Sequence, residues 1–228
     1  MVLGRHALVT GATGGLGRCI ATKLASEGCT LSLLGRSDTL NDIANDIGDA
    51  VENVFKVDFC DPNSLGDFLK VDQEVDILVN CAGTFPVKSL SESSIEDYEK
   101  CFDINVKAPF LLSKKFAEGM KERNWGRIVN IGSSSSYAGS PNSGLYCASK
   151  HALLGLSRSQ YLELNYYNVR TFCLSPGSIQ TNMGKKVPSQ DYSTFMKPTE
   201  IADYLINMIK FDNEMISEEV RLNRIIIR

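Results

Sequence analysis

The chain has 228 residues, enough for one domain with a full hydrophobic core. At 43% hydrophobic and 22% charged residues it is not a disordered, collagenous or coiled-coil protein. A formal charge of −3 without Lys/Arg clustering speaks against a nucleic-acid partner, and no apolar run reaches the roughly 18 residues that suggest a membrane span.

Residues 1–6 run straight into a strand-like segment with no cleavable signal pattern, so a soluble, cytoplasmic protein is expected. His6–Thr10 reads as a strand closed by glycines. From Leu16 the apolar residues recur at Ile20 and Leu24, a helical stripe that Gly28 ends. Thr30–Leu34 is a second strand, Thr39–Ile47 a polar helix, and Val54–Val57 and Val75–Asn80 are the third and fourth strands. Two long helices follow, Ser94–Ala108 and Pro109–Arg123, then a strand at Arg127–Ile131 and a helix at Tyr146–Leu164. A strand at Val169–Leu174, a helix at Glu200–Lys210 capped by Thr199, and a seventh strand at Val220–Ile227 complete the series. Continuous apolar strands separated by helices predict a mainly parallel sheet covered on both faces, with the active site in loops at strand ends.

Seven cysteines, an odd number without any C-x-x-C, read as reduced thiols. The only histidines are His6 and His151, too few for a metal cluster or a Ser-His-Asp hydrolase, and no metal site is expected.

Two segments carry chemistry. Thr10-Gly11-Ala12-Thr13-Gly14-Gly15-Leu16-Gly17 joins the first strand to the first helix. Glycines there let the backbone turn tightly and approach a pyrophosphate, and the helix start offers unpaired N–H groups to it. In the predicted helix from Tyr146, Tyr146 and Lys150 stand at i and i+4, so a cation lies on the face of a phenol and favours its ionised form. A free Tyr near pKa 10 needs such tuning for acid–base work at neutral pH. Ser133 to Ser136 follow the fifth strand; from the residues alone, any of them is a partner or plain loop.

The spacing G-x-x-x-G-x-G resembles the opening of the short-chain dehydrogenase/reductase family. The likeness recurs at Asn80-Cys81-Ala82-Gly83, at Asn105, at Ser133, at Tyr146-x-x-x-Lys150 and at Pro176-Gly177-Ser178-Ile179-Gln180-Thr181, across essentially the whole chain. It implies a Rossmann-type, doubly wound, seven-stranded mainly parallel sheet with helices on both faces, in a single domain over 1–228. Its spacing selects Ser133, with Ser134 as runner-up. Cys81 departs from the family's second Asn, and the end Arg224-Ile225-Ile226-Ile227-Arg228 departs from the glycine pair of many fatty-acid-synthesis reductases.

The resemblance assigns roles. Ser133 would bond the substrate oxygen, Tyr146 would give or take the proton, and Lys150 would lower the Tyr146 pKa and hold the nicotinamide ribose. Asn105 would support a water between Lys150 and solvent. Gly11, Thr13, Gly14, Gly15, Leu16 and Gly17 would face the phosphates. Asn80, Ala82 and Gly83 would lie along the adenosine, and Pro176, Gly177, Ile179 and Thr181 at the nicotinamide. Asp58 is either the contact to the adenine amino group or a turn residue before Asp61-Pro62.

An NAD site offers Asp or Glu about 20 residues past the turn. Here Gly35 is followed by Arg36 and Ser37, and an Arg fork suits a 2′-phosphate, so NADP(H) is expected in preference to NAD(H). The function expected is hydride transfer between NADP(H) and a carbonyl or secondary alcohol of a small substrate. A 3-oxoacyl-thioester reductase is the more specific alternative, and a dinucleotide-binding regulator without catalysis the contrasting one. A nucleotide-sugar epimerase or dehydratase lacks room after Gly177 for its substrate domain. Asn182–Lys197 reads as a lid of mixed polarity. Excess apolar positions on the long helices, and the habit of the family, predict a homodimer or homotetramer.

Overall fold

The structure is a computed structural model that describes residues 2–187, 190–211 and 216–224. Seven strands form one parallel sheet: β1 (His6–Thr10), β2 (Thr30–Gly35), β3 (Val51–Lys56), β4 (Ile77–Asn80), β5 (Gly126–Ile131), β6 (Val169–Pro176) and β7 (Glu219–Leu222). Their order is β3-β2-β1-β4-β5-β6-β7, so the chain reverses direction across the sheet between β1 and β4. This is the doubly wound topology, and its switch point opens a crevice beyond the carboxyl ends of the strands.

Strand alternation sorts the side chains. Ala7, Val9, Leu31, Leu33, Val79 and Phe172 face the core under α1 (Gly15–Ser26), α2 (Leu40–Ile47) and α7 (Pro198–Lys210). Leu8, Leu34, Leu78 and Ile128 face the other core, under α3 (Pro62–Leu69), α5 (Ala108–Glu122) and the end of α6 (Gly144–Leu164). Strands β1, β2, β4, β5 and β6 thus fill both layers, which is why they read as unbroken apolar runs. Among the described residues, no helix is long and apolar enough to cross a membrane.

The sequence reading differs at four places. It missed α3, where Asp61-Pro62 is a helix start: the Asp61 carboxylate accepts from Asn63 N at 2.9 Å and Pro62 takes the first position, where no N–H is needed. The two long helices are α4 (Ile95–Phe102) and α5, joined by one π-helical turn, Asp103–Lys107, rather than broken at Pro109. α7 begins at Pro198 behind Lys197, so Thr199 lies inside it and caps nothing. β7 ends at Leu222, and 225–227 of the expected strand lie outside the described residues.

His6 shows how the sheet's lower edge responds to pH. Its ring is held by Thr30 Oγ1 at 2.7 Å and Ser32 Oγ at 2.8 Å. Burial pushes its pKa below the ordinary 6.5, although Glu52 and Asp76 pull the other way. Between the folded pKa and 6.5 the unfolded chain binds more protons, so stability rises with pH there and is complete above 6.5. Melting curves between pH 5 and 7 should therefore show the midpoint dropping on the acid side. His6→Asn should flatten part of that drop; an unchanged slope in the variant would assign it elsewhere.

Candidate active site

The crevice holds a cavity of about 690 Å³. At one end lies the turn between β1 and α1. Gly11 has φ +68°, and a Cβ there would sit 2.7 Å from the Ala82 Cα; at Gly17 it would sit 2.3 Å from the Gly11 carbonyl oxygen. The turn exists only without those side chains. Gly14 is the N-cap of α1 and contributes no side chain to its N–H groups, and the first turn holds no acidic residue. The start of α1 thus presents N–H groups without a side-chain cap and the positive end of the helix dipole, suited to phosphate oxygens. Thr10 Oγ1 ties the turn to the loop after β4, accepting from Cys81 N and Ala82 N, each at 3.0 Å.

At the other end, α6 carries Tyr146 and Lys150 one turn apart, as i and i+4 predict. The Lys150 ammonium is almost wholly buried and donates to Ile131 O at 2.7 Å. Ser133 follows β5, and its Oγ accepts from Ser135 N at 3.1 Å, so the short turn 134–136 orients it. Phe85 packs edge-on to the Tyr146 ring, 4.7 Å between centroids.

Burial pushes the Tyr146 phenol up to about 12, while the Ser133 hydroxyl pulls it down. Burial also lowers the Lys150 pKa. The lowering of the phenol expected from Lys150 is not what the folded site shows: both groups are desolvated, and desolvation disfavours both charged forms. Tyr146 is set as a protonated acid at neutral pH.

Asn105 sits in the π-helical turn, a feature that often marks functional sites. Its Oδ1 accepts from Thr84 N at 2.9 Å, and its Nδ2 donates to Thr84 O and Ser149 Oγ, each at 3.0 Å. The side chain thus clamps the loop after β4 to α6, beside Lys150.

The cavity brings together Gly11, Thr13, Gly14, Gly15, Leu16, Gly17, Arg36, Asp58, Ala82 and Gly83 with Ser133, Tyr146, Lys150, Pro176, Gly177, Ile179 and Thr181. A Cβ on Gly15 would lie 3.1 Å from Thr181 Cγ2, so the turn and the loop after β6 close on each other. Asp58 sits in a turn, where its Oδ1 accepts from Cys60 N at 2.9 Å, and the residue also lines the cavity. Three candidates lie apart from the lining: Asn105, fully buried in its clamp, Asn80 and Ser37. Asn80 is the buried last residue of β4, its Nδ2 donating to Asn130 Oδ1 of β5 at 2.8 Å. Ser37 bonds Thr39, 2.8 Å between hydroxyls, ahead of α2. Thr10, Phe85, Ser149 and Arg221 are site residues the sequence reading did not assign. Only Ser149 carried a signal, its place within the Tyr146–Lys150 turn.

Among the described residues no group of His, Cys, Asp and Glu could hold a metal ion. The seven cysteines are unpaired.

Comparison with known proteins gives the same picture. The sequence pattern of the short chain dehydrogenase family matches residues 5–192. Nodulation protein G of Rhizobium sp. (strain N33) is 35% identical over 198 residues, covering 85% of this chain and 80% of the relative. A 3-oxoacyl-(acyl-carrier-protein) reductase of Rickettsia conorii is 28% identical over 204 residues, 88% of this chain and 83% of its own. The crystal structure of a putative NAD(P) dependent gluconate 5-dehydrogenase from Beutenbergia cavernae with bound NADP superposes with a TM-score of 0.88 at 28% identity, over 97% of this chain and 95% of that one. With the glycine turn, the doubly wound sheet and the Ser–Tyr–Lys group in one crevice, the chain belongs to the short-chain dehydrogenase/reductase family of oxidoreductases.

Proposed function

We propose that the protein is an NADP(H)-dependent oxidoreductase acting on a carbonyl or secondary alcohol of a small substrate, with Tyr146 as proton donor and acceptor. The observation that carries this reading is the single cavity lined both by the glycine turn and by Ser133, Tyr146 and Lys150. The dinucleotide fits the chain on the α1 terminus, which no side chain caps, and the side-chain-free approach at Gly11 and Gly17. Gly14 to Gly17 would hold its phosphates, Arg36 the 2′-phosphate, Asp58, Ala82 and Gly83 the adenosine, and Ile179 and Thr181 the nicotinamide amide. When bound, it supplies or accepts the hydride.

The chain's own residues handle the proton and the geometry. Ser133 holds the substrate oxygen. Tyr146, protonated at neutral pH, gives its proton to that oxygen in reduction. The Lys150 cation on the same helix face stabilises the phenolate left behind, its Nζ fixed by Ile131 O. Asn105 keeps Lys150 and the loop after β4 in register. The more specific reading, a 3-oxoacyl-thioester reductase, is favoured by the Rickettsia relative. A noncatalytic regulator would not need all of Ser133, Tyr146 and Lys150. Unpaired thiols suit a reducing cytoplasm.

Following cofactor absorbance across a panel of ketones, aldehydes and 3-oxoacyl thioesters tests this reading. NADPH consumption by at least one carbonyl class is expected; inertness toward all of them, with cofactor bound, would favour the regulator.

The protein should also be a homodimer or homotetramer. Ile95 and Tyr98 on α4, Phe110 on α5 and Leu162 on α6 leave apolar surface facing outward. Light scattering at micromolar concentration should report a multiple of 25.1 kDa; a species of 25.1 kDa alone would refute the assembly.

A further inference from the structure

One charged group of the cavity has no role in the proposed chemistry. Arg221 lies on β7, in register with Ser175 of β6 and one position before the pair Pro176–Leu222. Alternation sends Val220 into the core and Arg221 to the opposite face. Glu219, on that same face, is committed to Arg158 of α6 through bonds of 2.8 and 3.0 Å. Arg221 makes no ion pair among the described residues. Its guanidinium lies 5.2 Å from the centre of the Tyr137 ring, and the residue lines the cavity. An aromatic contact of this kind supports the guanidinium while leaving its N–H edges able to donate.

Gln190 supplies a second donor. Its Oε1 accepts from Arg224 Nη2 at 3.0 Å and from Ser178 Oγ at 3.2 Å. Arginine can only donate, so that atom is the amide oxygen, and Nε2 is the end left over, without a partner among the described residues. Gln190 also lines the cavity. The balance of charge points the same way. Among the described residues Asp58 is the one carboxylate of the lining, with Arg36 at the ends of β2 and β3, whereas the other charged lining residues, Lys150 and Arg221, are cations.

We propose that Arg221, with Gln190 in the same cavity lining, determines substrate specificity: the molecule whose carbonyl is reduced also carries an oxyanion, a carboxylate or a phosphate. Either group matches the guanidinium fork. Phe85, Met183 and Val187 line the same cavity and accommodate the carbon skeleton between the reacting carbon and the anion. This inference rests on the oxidoreductase reading for what the bound molecule is, but its test does not depend on turnover.

Wild type, Arg221→Met and Arg221→Lys, each with and without NADP⁺, are titrated by saturation-transfer NMR with matched probes: 3-hydroxybutyrate against butan-2-ol, gluconate against glucitol, and glycerol 3-phosphate against glycerol. At least one acidic probe should bind wild type about ten- to a hundredfold more tightly than its neutral partner, the strength of a hydrogen bond to a charged group. Arg221→Met should abolish that preference with the NADP⁺ titration unchanged. Arg221→Lys, a point charge without the fork, should retain part of it. Whether the carboxylate or the phosphate arm responds identifies the oxyanion. Equal binding of acidic and neutral probes by wild type, or a preference that survives in Arg221→Met, overturns the proposal and leaves Arg221 an edge-strand surface charge. Failure of wild type to bind NADP⁺ would count against the oxidoreductase reading alone, because the anion preference is also read without the dinucleotide.

Discussion

Tyr146→Phe should leave a folded protein that still binds NADPH and turns over about 10²–10⁴-fold more slowly, the usual contribution of a positioned general acid. The substitution removes one oxygen and little volume, and the ring keeps its edge contact with Phe85. Cofactor binding should persist because the glycine turn, Arg36 and Lys150 are untouched. Neighbouring variants should separate the roles. Lys150→Ala should damage both turnover and cofactor affinity, since it removes a buried cation bonded to Ile131 O at the centre of the site. Ser133→Ala should cost turnover with cofactor affinity intact, and Ser134→Ala much less. Steady-state rates beside cofactor fluorescence titrations measure all four. A Tyr146→Phe enzyme with near-native kcat would remove Tyr146 as the acid.

Arg36→Ala should weaken NADPH by about ten- to a hundredfold and leave NADH almost unchanged, as expected for the loss of a charge-assisted pair with a phosphate. Arg36 is exposed at the end of β2 and lines the cavity. The nearest acidic side chain in sequence, Asp38, is paired with Lys56, so its charge is offset. Fluorescence titration of both cofactors on wild type and variant decides the matter. Equal affinity of the wild type for NADH and NADPH would contradict the assignment.

Much of this site was legible because its residues are fixed by backbone demands. The glycine turn declares itself through positions where a Cβ collides with backbone, and Tyr146 and Lys150 through helical spacing. What was not legible depends on partners distant in sequence. Asn80 fits a cofactor motif, yet the β4–β5 register sets it beside Asn130, and its Nδ2 is committed to Asn130 Oδ1 away from the cavity lining. Ser37 follows the strand that ends at the cavity, but its hydroxyl is taken up by the start of α2. The π-helical turn at Asn105 leaves no periodic trace in five residues, and α3 hid behind an Asp-Pro pair that also reads as a turn. The direction of the Tyr146 shift was not legible for a related reason: adjacency to a cation is visible in sequence, but the burial that raises the phenol is a property of the folded crevice. Arg221 was silent because nothing in its neighbours' spacing says that β7 ends beside the cavity.

The most direct measurement is transfer of deuterium from NADPH labelled on the nicotinamide to a ketone or aldehyde of the active class, read by mass spectrometry of the product alcohol in a single turnover. Wild type should give an alcohol carrying the label on its new C–H bond, and Tyr146→Phe should form it at least a hundredfold more slowly while binding the labelled cofactor equally well. An unlabelled product, or labelled product formed by Tyr146→Phe at the wild-type rate, would contradict the account.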